Sequence, residues 1–288
     1  MKLLLDNGAE VNAEGGWNGN ALQAASFGGN EAIVKLLLEN GAEVNAEGGE
    51  YGNALQAALF EGNETTVKLL LENRAELNAE GGQYGNALQA ASFGGNEAIM
   101  KLLIKNGAEV NAEGGKYGNA LQAASASYKG NEAIVKLLLE NGAEVNAEGG
   151  EYGNALQAAS FGSNEAIVRL LLENGAEVNA EGGHYRNALQ AALFGGNEAI
   201  INLLLEYGAE VNAKGGEYGN GFQAASCEGY ENNEIVELPF DFGEEVETNR
   251  GDYGIRTNAS NIIVSSKSEN SCKPHFLNCH LIVPLNVY

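Results

Sequence analysis

The chain has 288 residues, of which 39 are acidic and 16 are basic, and its formal net charge at pH 7 is -23. A field of this sign repels phosphate backbones and anionic lipid, which argues against nucleic acid and membrane as partners. The sequence contains no apolar run of membrane-spanning length, no signal-peptide pattern and no disulfide framework among its three cysteines. These features predict an intracellular protein in the cytoplasm, with the nucleus as a compatible alternative.

A block of 33 residues begins at Asn20 and recurs along most of the chain. The block restarts at Asn53, Asn86, Asn119, Asn154 and Asn187, and in a degraded form at Asn220. A fixed period of this length is typical of a solenoid, in which each unit buries its apolar face only against its neighbours. The period therefore favours a function carried by a surface of the array over a function carried by a single active site.

Each unit carries the signals for two helices and a loop. In the first full unit, Asn20 is a favourable N-cap for a short helix over 21–27, and two glycines end that helix. A second helix is predicted over 31–40, because apolar residues cover most of its circumference, and Gly41 is suited to end it in a left-handed conformation. The polar, glycine-rich segment 42–52 predicts a projecting loop.

The second-helix stretch Glu31–Ala46, EAIVKLLLENGAEVNA, closely resembles the ankyrin repeat. The first helix departs from that family, because Asn20–Gln23 reads Asn-Ala-Leu-Gln where ankyrin repeats usually carry Thr-Pro-Leu-His. The loop Gly48–Gly52 also replaces the usual Asp-x-x-Gly turn. With these variants the array is similar to the nearly identical ankyrin arrays of filamentous fungi, which are often C-terminal in NACHT-type, NLR-like proteins. The resemblance implies an all-α solenoid of paired antiparallel helices with projecting loops.

The repeat also predicts how the chain is organised. Residues 1–19 correspond to the second half of a unit, which favours a fragment of a longer array and leaves a crude N-terminal cap as the alternative. The six full units span 20–52, 53–85, 86–118, 119–153, 154–186 and 187–219. A degenerate unit 220–254 follows, in which Pro239 stands inside the second helix. The tail 255–288 does not repeat and is predicted to be disordered.

Two departures from the repeat bear on stability. Arg74 replaces the glycine that ends the second helix, so we expect a non-glycine residue in left-handed geometry at a cost on the order of 1 kcal/mol. Leu3, Leu4 and Leu5 are expected to lack part of their packing surface, because the first helix of their unit is missing.

The sequence offers no convergent set of catalytic groups, so we predict no enzymatic activity, no cofactor and no metal. Glutamates such as Glu43 and Glu47 recur in nearly every unit, whereas a catalytic pair would be singular. The tail contains residue types that bind zinc: Cys272, His275, Cys279 and His280. Their spacing matches no usual arrangement of zinc ligands, and a metal-binding or catalytic tail is kept as an alternative hypothesis.

One loop position varies between units although its neighbours hardly change. It is occupied by Trp17, Glu50, Gln83, Lys116, Glu151, His184 and Glu217, and by Asp252 in the degenerate unit. The residue after it is usually a tyrosine: Tyr51, Tyr84, Tyr117, Tyr152, Tyr185 and Tyr218. In the ankyrin architecture the loop tips and the adjoining surface of the first helices line the concave side, where partners usually dock. We therefore predict that these residues bind a protein partner, and the charge favours a partner with a basic surface.

Two positions on the first helix also vary: Gly28 corresponds to Glu61, and Ser26 alternates with Leu59 and Leu193. Each observation has a second interpretation. The tyrosines equally suit packing of loop on loop, the variation equally suits free drift at exposed positions, and the charge equally suits repetition of solvated glutamates. The functional prediction is a monomeric protein-interaction module, such as the sensing array of a fungal NLR-like protein. The alternative is a truncated array that folds but binds nothing specifically.

Overall fold

A computed structural model describes residues 1–127 and 130–213, together with the backbone of three strands further along the chain. The segments 128–129, 214–237, 240–252, 259–260 and 267–288 lie outside the described residues. The chain divides into two units, Met1–Ala225 and Ser226–Tyr288, and each is considered by itself.

The first unit is an array of paired α-helices, preceded by the short helix α1 (Lys2–Asp6). The first helices of the pairs are α2 (Ala21–Phe27), α4 (Ala54–Glu61), α6 (Ala87–Gly94), α8 (Ala120–Ala126), α10 (Ala155–Phe161) and α12 (Ala188–Gly195). The second helices are α3 (Glu31–Glu39), α5 (Glu64–Glu72), α7 (Glu97–Lys105), α9 (Glu132–Glu140), α11 (Glu165–Glu173) and α13 (Glu198–Glu206). First helices pack on first helices of adjacent units, and each packs on its own second helix. The predicted solenoid of paired helices is confirmed.

Asparagine side chains cap the first helices, as the sequence predicts, and they also cap the described second helices except α5. Asn20 Oδ1 accepts a hydrogen bond from the N–H of Gln23 at 2.9 Å, and Gln23 Oε1 accepts one from the N–H of Asn20 at 2.7 Å. This reciprocal capping box satisfies two amide groups that would otherwise have no partner at the start of the helix. Asn30 caps the second helix by accepting from the N–H of Ile33 at 3.2 Å.

The core depends on the difference in size between the two helices of a pair. Ala57 and Ala58 of α4 are fully buried, because α4 has the first helix of a neighbouring unit on both sides. The second helices supply larger side chains such as Leu70 and Leu103, which are also fully buried. Small residues let the first helices approach closely, and the leucines fill the remaining volume at the density of a protein interior.

Asparagines in the loops connect each unit to the next. Asn45 Nδ2 donates to the carbonyl oxygen of Arg74 at 3.2 Å, and Asn45 Oδ1 accepts from the N–H of Glu76 at 2.9 Å. The same two-sided bridge is made by Asn12, Asn78, Asn111, Asn146 and Asn179. One side chain thus satisfies a donor and an acceptor of the following unit.

The predicted weak points appear in the structure. Arg74 has a φ of 66°, which places a non-glycine residue in the left-handed region as expected. At the N-terminal end, Leu3 is 74% exposed and Leu4 is 59% exposed, and α1 contains no buried residue. The expectation that part of the packing surface is missing is confirmed for Leu3 and Leu4, whereas Leu5 is half-buried like Leu38 at the same repeat position.

The second unit contains a three-stranded antiparallel sheet with the order β1-β3-β2, built from β1 (Leu238–Pro239), β2 (Tyr253–Asn258) and β3 (Asn261–Ser266). In register, Leu238 pairs with Ile262, and Tyr253 pairs with Ser266. The all-α prediction therefore applies to the array and does not extend to this sheet. Pro239 lies in a strand rather than in the second helix of a degenerate unit, and proline is poorly suited to a helix interior. Strands also occupy part of the tail that the sequence predicts to be disordered.

Candidate functional site

The loop tips are held at fixed positions by the glutamine of each first helix. Gln23 Nε2 donates to the carbonyl oxygens of Ala46 and Gly48 at 3.1 Å each and of Gly52 at 3.2 Å. The N–H of Gly48 in turn donates to the carbonyl oxygen of Gly52 at 2.8 Å, which closes the loop. Because Gln23 is only 2% exposed, these bonds are shielded from water and define one conformation for the loop.

From the second loop onward, the second glycine of the Gly-Gly step is required by the contact with the preceding loop in the described part of the array. Gly82 has a φ of 61°, and a Cβ atom there would lie 2.4 Å from the backbone nitrogen of Gly52 and 2.4 Å from the carbonyl carbon of Tyr51. A side chain at this position therefore meets both backbone strain and a collision with the preceding loop. Close approach of loop to loop explains why the sequence around the variable position is nearly constant.

The variable residues form one continuous row along the array. The N–H of Glu50 donates to the carbonyl oxygen of Trp17 at 3.0 Å, and the N–H of Gln83 donates to that of Glu50 at 2.9 Å. The series continues from Lys116 to Gln83 at 2.7 Å, from Glu151 to Lys116 at 2.8 Å and from His184 to Glu151 at 3.1 Å. We call these six residues the variable row. The structure thus brings together the residues that the sequence places at one repeat position.

The side chains of the variable row differ in exposure and charge. Trp17 is 56% exposed at one end, His184 is exposed at the other, and the four residues between them are half-buried. Lys116 Nζ lies 3.2 Å from Glu151 Oε2 and 5.8 Å from the centre of the Tyr117 ring. The row therefore begins with an aromatic side chain and a carboxylate, and its two basic side chains lie in the other half.

The tyrosines beside the row stack on one another instead of facing solvent. Ring centres are 6.2 Å apart between Tyr51 and Tyr84, 5.9 Å between Tyr84 and Tyr117, and 6.2 Å between Tyr117 and Tyr152. Tyr185 continues the stack at 6.5 Å from Tyr152. We call these five residues the tyrosine ladder. Four of the rings are buried, and Tyr152 is half-buried.

Phenylalanines of the first helices complete this aromatic layer. The Tyr51 ring lies 4.9 Å from the ring of Phe27 and 5.3 Å from that of Phe60, centre to centre. Burial, followed by the nearby charges of Glu50 and Glu61, raises the pKa of Tyr51 to about 12. This arrangement agrees with the interpretation that the tyrosines pack loop on loop, since the aromatic layer joins each loop to the next. Glu217 and Tyr218, which the sequence assigns to the same site, lie outside the described residues.

The described variable positions on the first helix differ in exposure. Ser26, Leu59 and Leu193 are buried. The exchange of serine for leucine at this repeat position therefore changes the packing of the core. At the neighbouring position, a Cβ atom on Gly94 would lie 2.6 Å from the carbonyl oxygen of Phe60, so this glycine is required by packing. Glu61 is exposed at the equivalent position. The prediction that this helix surface contributes to a binding site is therefore wrong at the buried positions.

One charged residue beside the site was missed by sequence reasoning. Arg186 follows Tyr185 where the other full units have glycine, and it has a φ of 68°. Its Nη2 donates to Glu181 Oε1 at 2.7 Å, which places a paired guanidinium at the edge of the loop. The signal for it was present in the sequence, since Arg186 alone interrupts the series of glycines after tyrosine.

Other kinds of site find no support in the described part of the chain. Among those residues there is no group of three histidine, cysteine or acidic side chains that could hold a metal ion. No helix among the described residues is long and apolar enough to cross a bilayer. The tail cysteines and histidines considered above for zinc lie outside the described residues.

The geometry agrees with comparisons to known proteins. A family model described as ankyrin repeats, in three copies, matches residues 1–81, 57–149 and 126–215. The solved structure of the human ASB11 ankyrin repeat domain is similar, with a TM-score of 0.59 and 25% identity, over 73% of this chain and 93% of that chain. A search of the curated proteins gives no match. The family match and the array of paired helices show that the chain belongs to the ankyrin-repeat family.

Proposed function

We propose that this chain is a protein-interaction module that binds its partner through the variable row. Ankyrin repeats are generally protein–protein interaction modules, and their fold is typically a non-catalytic scaffold. In this proposal recognition depends on shape and on the chemistry of six side chains, and no reaction is catalysed.

The observation that carries the proposal is the hydrogen-bonded order of the row. Each residue from Glu50 to His184 donates its N–H to the row residue of the preceding unit, at 2.7–3.1 Å. The backbone beneath the side chains is therefore fixed before any partner arrives, so binding does not have to order it. A row of unlike side chains on a preorganised backbone is well suited to selective recognition.

The tyrosine ladder has a supporting role in this proposal. Its rings stack at 5.9–6.5 Å and are mostly buried, so they stabilise the loops that carry the row. We retain Glu217 and Tyr218 as proposed extensions of the row and the ladder. The contact surface offered to the partner is accordingly the row itself, with Trp17 as its most exposed aromatic residue.

Charge favours a partner with a basic surface. The chain has a formal net charge of -23, which accelerates encounter with a cationic protein and opposes encounter with an anionic one. We also propose that the module acts as a monomer. A role as the sensing array of an NLR-like protein is a further proposal, and it rests on the sequence resemblance described above.

The test uses the full chain as bait in an extract of its source organism. A row variant combines Trp17→Ala, Glu50→Lys and Glu151→Lys, and a control variant combines Tyr207→Ala, Glu43→Lys and Glu109→Lys. The control replaces an exposed aromatic residue and two exposed glutamates away from the row, with the same change of charge. Partners captured by the wild type are identified by mass spectrometry, and the affinity of each purified partner is then measured for all three proteins.

We expect one partner to bind the wild type and the control with similar affinity, and the row variant at least tenfold more weakly. Circular dichroism checks that all three proteins have the same helix content. Equal binding of the row variant would contradict the proposal. If no partner is captured, the alternative of an array that folds without a specific partner is favoured.

A further inference from the structure

The spacing of the loops restricts the conformation of the segment that binds the variable row, provided that the proposed function holds. Adjacent rings of the tyrosine ladder, which begins at Tyr51, are 5.9–6.5 Å apart. All the row residues are joined by direct backbone hydrogen bonds, and the step before the ladder is the bond of 3.0 Å from Glu50 to Trp17. In an extended chain, side chains on the same face are about 6.6–6.8 Å apart, because the rise is about 3.3–3.4 Å per residue. Alternate residues of an extended segment therefore nearly match successive loops.

A helical segment matches the spacing of the loops, but its side chains do not all point towards them. Residues four apart in an α-helix are separated by about 6 Å along the axis, yet each step also turns the side chain by about 40°. After two loops the third side chain would point about 80° away from the first, by the same geometry. Alternate residues of an extended chain stay on one face, and their mismatch with the loops amounts to about 1 Å over two steps.

The first three residues of the row define the chemistry of the segment. Trp17 is 56% exposed, and its indole can attract a cation to its face. The Glu50 carboxylate one loop further is half-buried, with its Oε2 atom shielded from solvent, and its negative charge attracts a cationic side chain to this position. Gln83 offers an amide at the next loop. The basic residues Lys116 and His184 lie beyond this group, where Lys116 is paired with Glu151.

We propose that the row binds an extended basic segment of a partner protein across the loops of Trp17, Glu50 and Gln83. Two cationic residues, separated by one residue, lie over Trp17 and Glu50, and a polar residue two positions further lies over Gln83. The segment thus has the pattern Arg/Lys-x-Arg/Lys-x-polar. The acidic charge of the whole chain attracts such a segment over a longer range.

The test compares three synthetic peptides of identical composition by fluorescence anisotropy with the full chain. The first has arginines at positions i and i+2 and glutamine at i+4, the second has the same residues at i, i+4 and i+8, and the third is scrambled. We expect the first peptide to bind at least tenfold more tightly than the others. Trp17→Ala and Glu50→Gln should each weaken its binding at least fivefold.

Glu43→Gln and Lys68→Ala serve as matched controls, because both replace exposed charges outside the row. They should change the affinity of the first peptide less than twofold. The extended segment is ruled out if the three peptides bind equally or if the second peptide binds most tightly. It is also ruled out if Glu43→Gln weakens binding of the first peptide as much as Glu50→Gln does. If the row variant still loses its partner while the peptides bind equally, the proposed function stands and this inference fails. If row substitutions change neither partner capture nor peptide binding, both fail.

Discussion

The N-terminal half-unit and the interior units contain nearly the same helix in different surroundings. Leu4 occupies the repeat position of Leu37 and Leu70, yet Leu4 is 59% exposed while Leu37 and Leu70 are 1% and 0% exposed. Ala24 of the first pair is likewise exposed, whereas Ala57 at the same position in the next unit is fully buried. Equal sequence thus gives unequal burial, because in a solenoid the neighbours supply the core.

The largest expected effect comes from removing the same leucine in the two surroundings. Leu70→Ala should lower the free energy of unfolding by about 2–5 kcal/mol, since it opens a cavity in the core. Leu4→Ala should lower it by no more than about 0.5 kcal/mol, as is usual for an exposed side chain. Urea unfolding followed by circular dichroism measures both values. Similar losses for the two variants would mean that the half-unit is packed in solution.

Glycine substitutions separate backbone strain from contact between loops. Gly82→Ala should destabilise by at least ~2 kcal/mol, because left-handed strain adds to a collision with the preceding loop. Gly16→Ala keeps the strain, with a φ of 72°, but nothing lies within 4 Å of its Cβ position, so about 1 kcal/mol is expected. The difference between the two unfolding free energies gives the cost of the contact. A difference near zero would show that the loops can separate.

Arg74 offers a substitution that should stabilise an interior unit. Arg74→Gly relieves left-handed strain at a φ of 66°, which should add about 1 kcal/mol to the free energy of unfolding. Gly41→Arg, at the equivalent position of the preceding unit, should remove a similar amount. Thermal unfolding compares both variants with the wild type. No change in either variant would mean that these helix ends relax without cost.

The tyrosine ladder should make stability depend on pH. Burial and nearby carboxylates raise the pKa of Tyr51 to about 12 in the folded protein, above its ordinary value of 10.0. Because the folded state holds this proton more tightly, the associated stability is present below pH 10 and decreases as the pH rises towards 12. Tyr51→Phe should therefore lose less stability than the wild type between pH 9 and 11. If the wild type and Tyr51→Phe lose the same stability over this pH range, the Tyr51 phenol is solvated in the folded protein.

Sequence periodicity predicted the elements that depend on one unit alone. Asn20 begins the first helix as expected, and the second helix ends at Glu39, one residue earlier than predicted. The period also predicted the order of the residues in the variable row, because nearly identical units place equivalent residues at equivalent positions. The partner-binding role of these residues stays a prediction.

Features that depend on how one unit meets the next were not predictable in the same way. Ser26 and Leu59 vary between units and were assigned to a surface, but both are buried by a neighbouring helix. The bridge of Asn45 to Arg74 and Glu76 also spans two units, so a single unit gives no sign of it. The sequence specifies a unit well and leaves the contact between units to three-dimensional packing.

The hydrogen bonds of the variable row have a consequence for how such an array changes in evolution. They join peptide group to peptide group, so none of them depends on which side chain the row residue carries. Recombination that inserts or deletes one whole unit would therefore preserve every bond type while shifting the side chains along the row by one place. New recognition sequences can therefore arise by rearranging existing units, and each rearranged array keeps the hydrogen bonds that order the row.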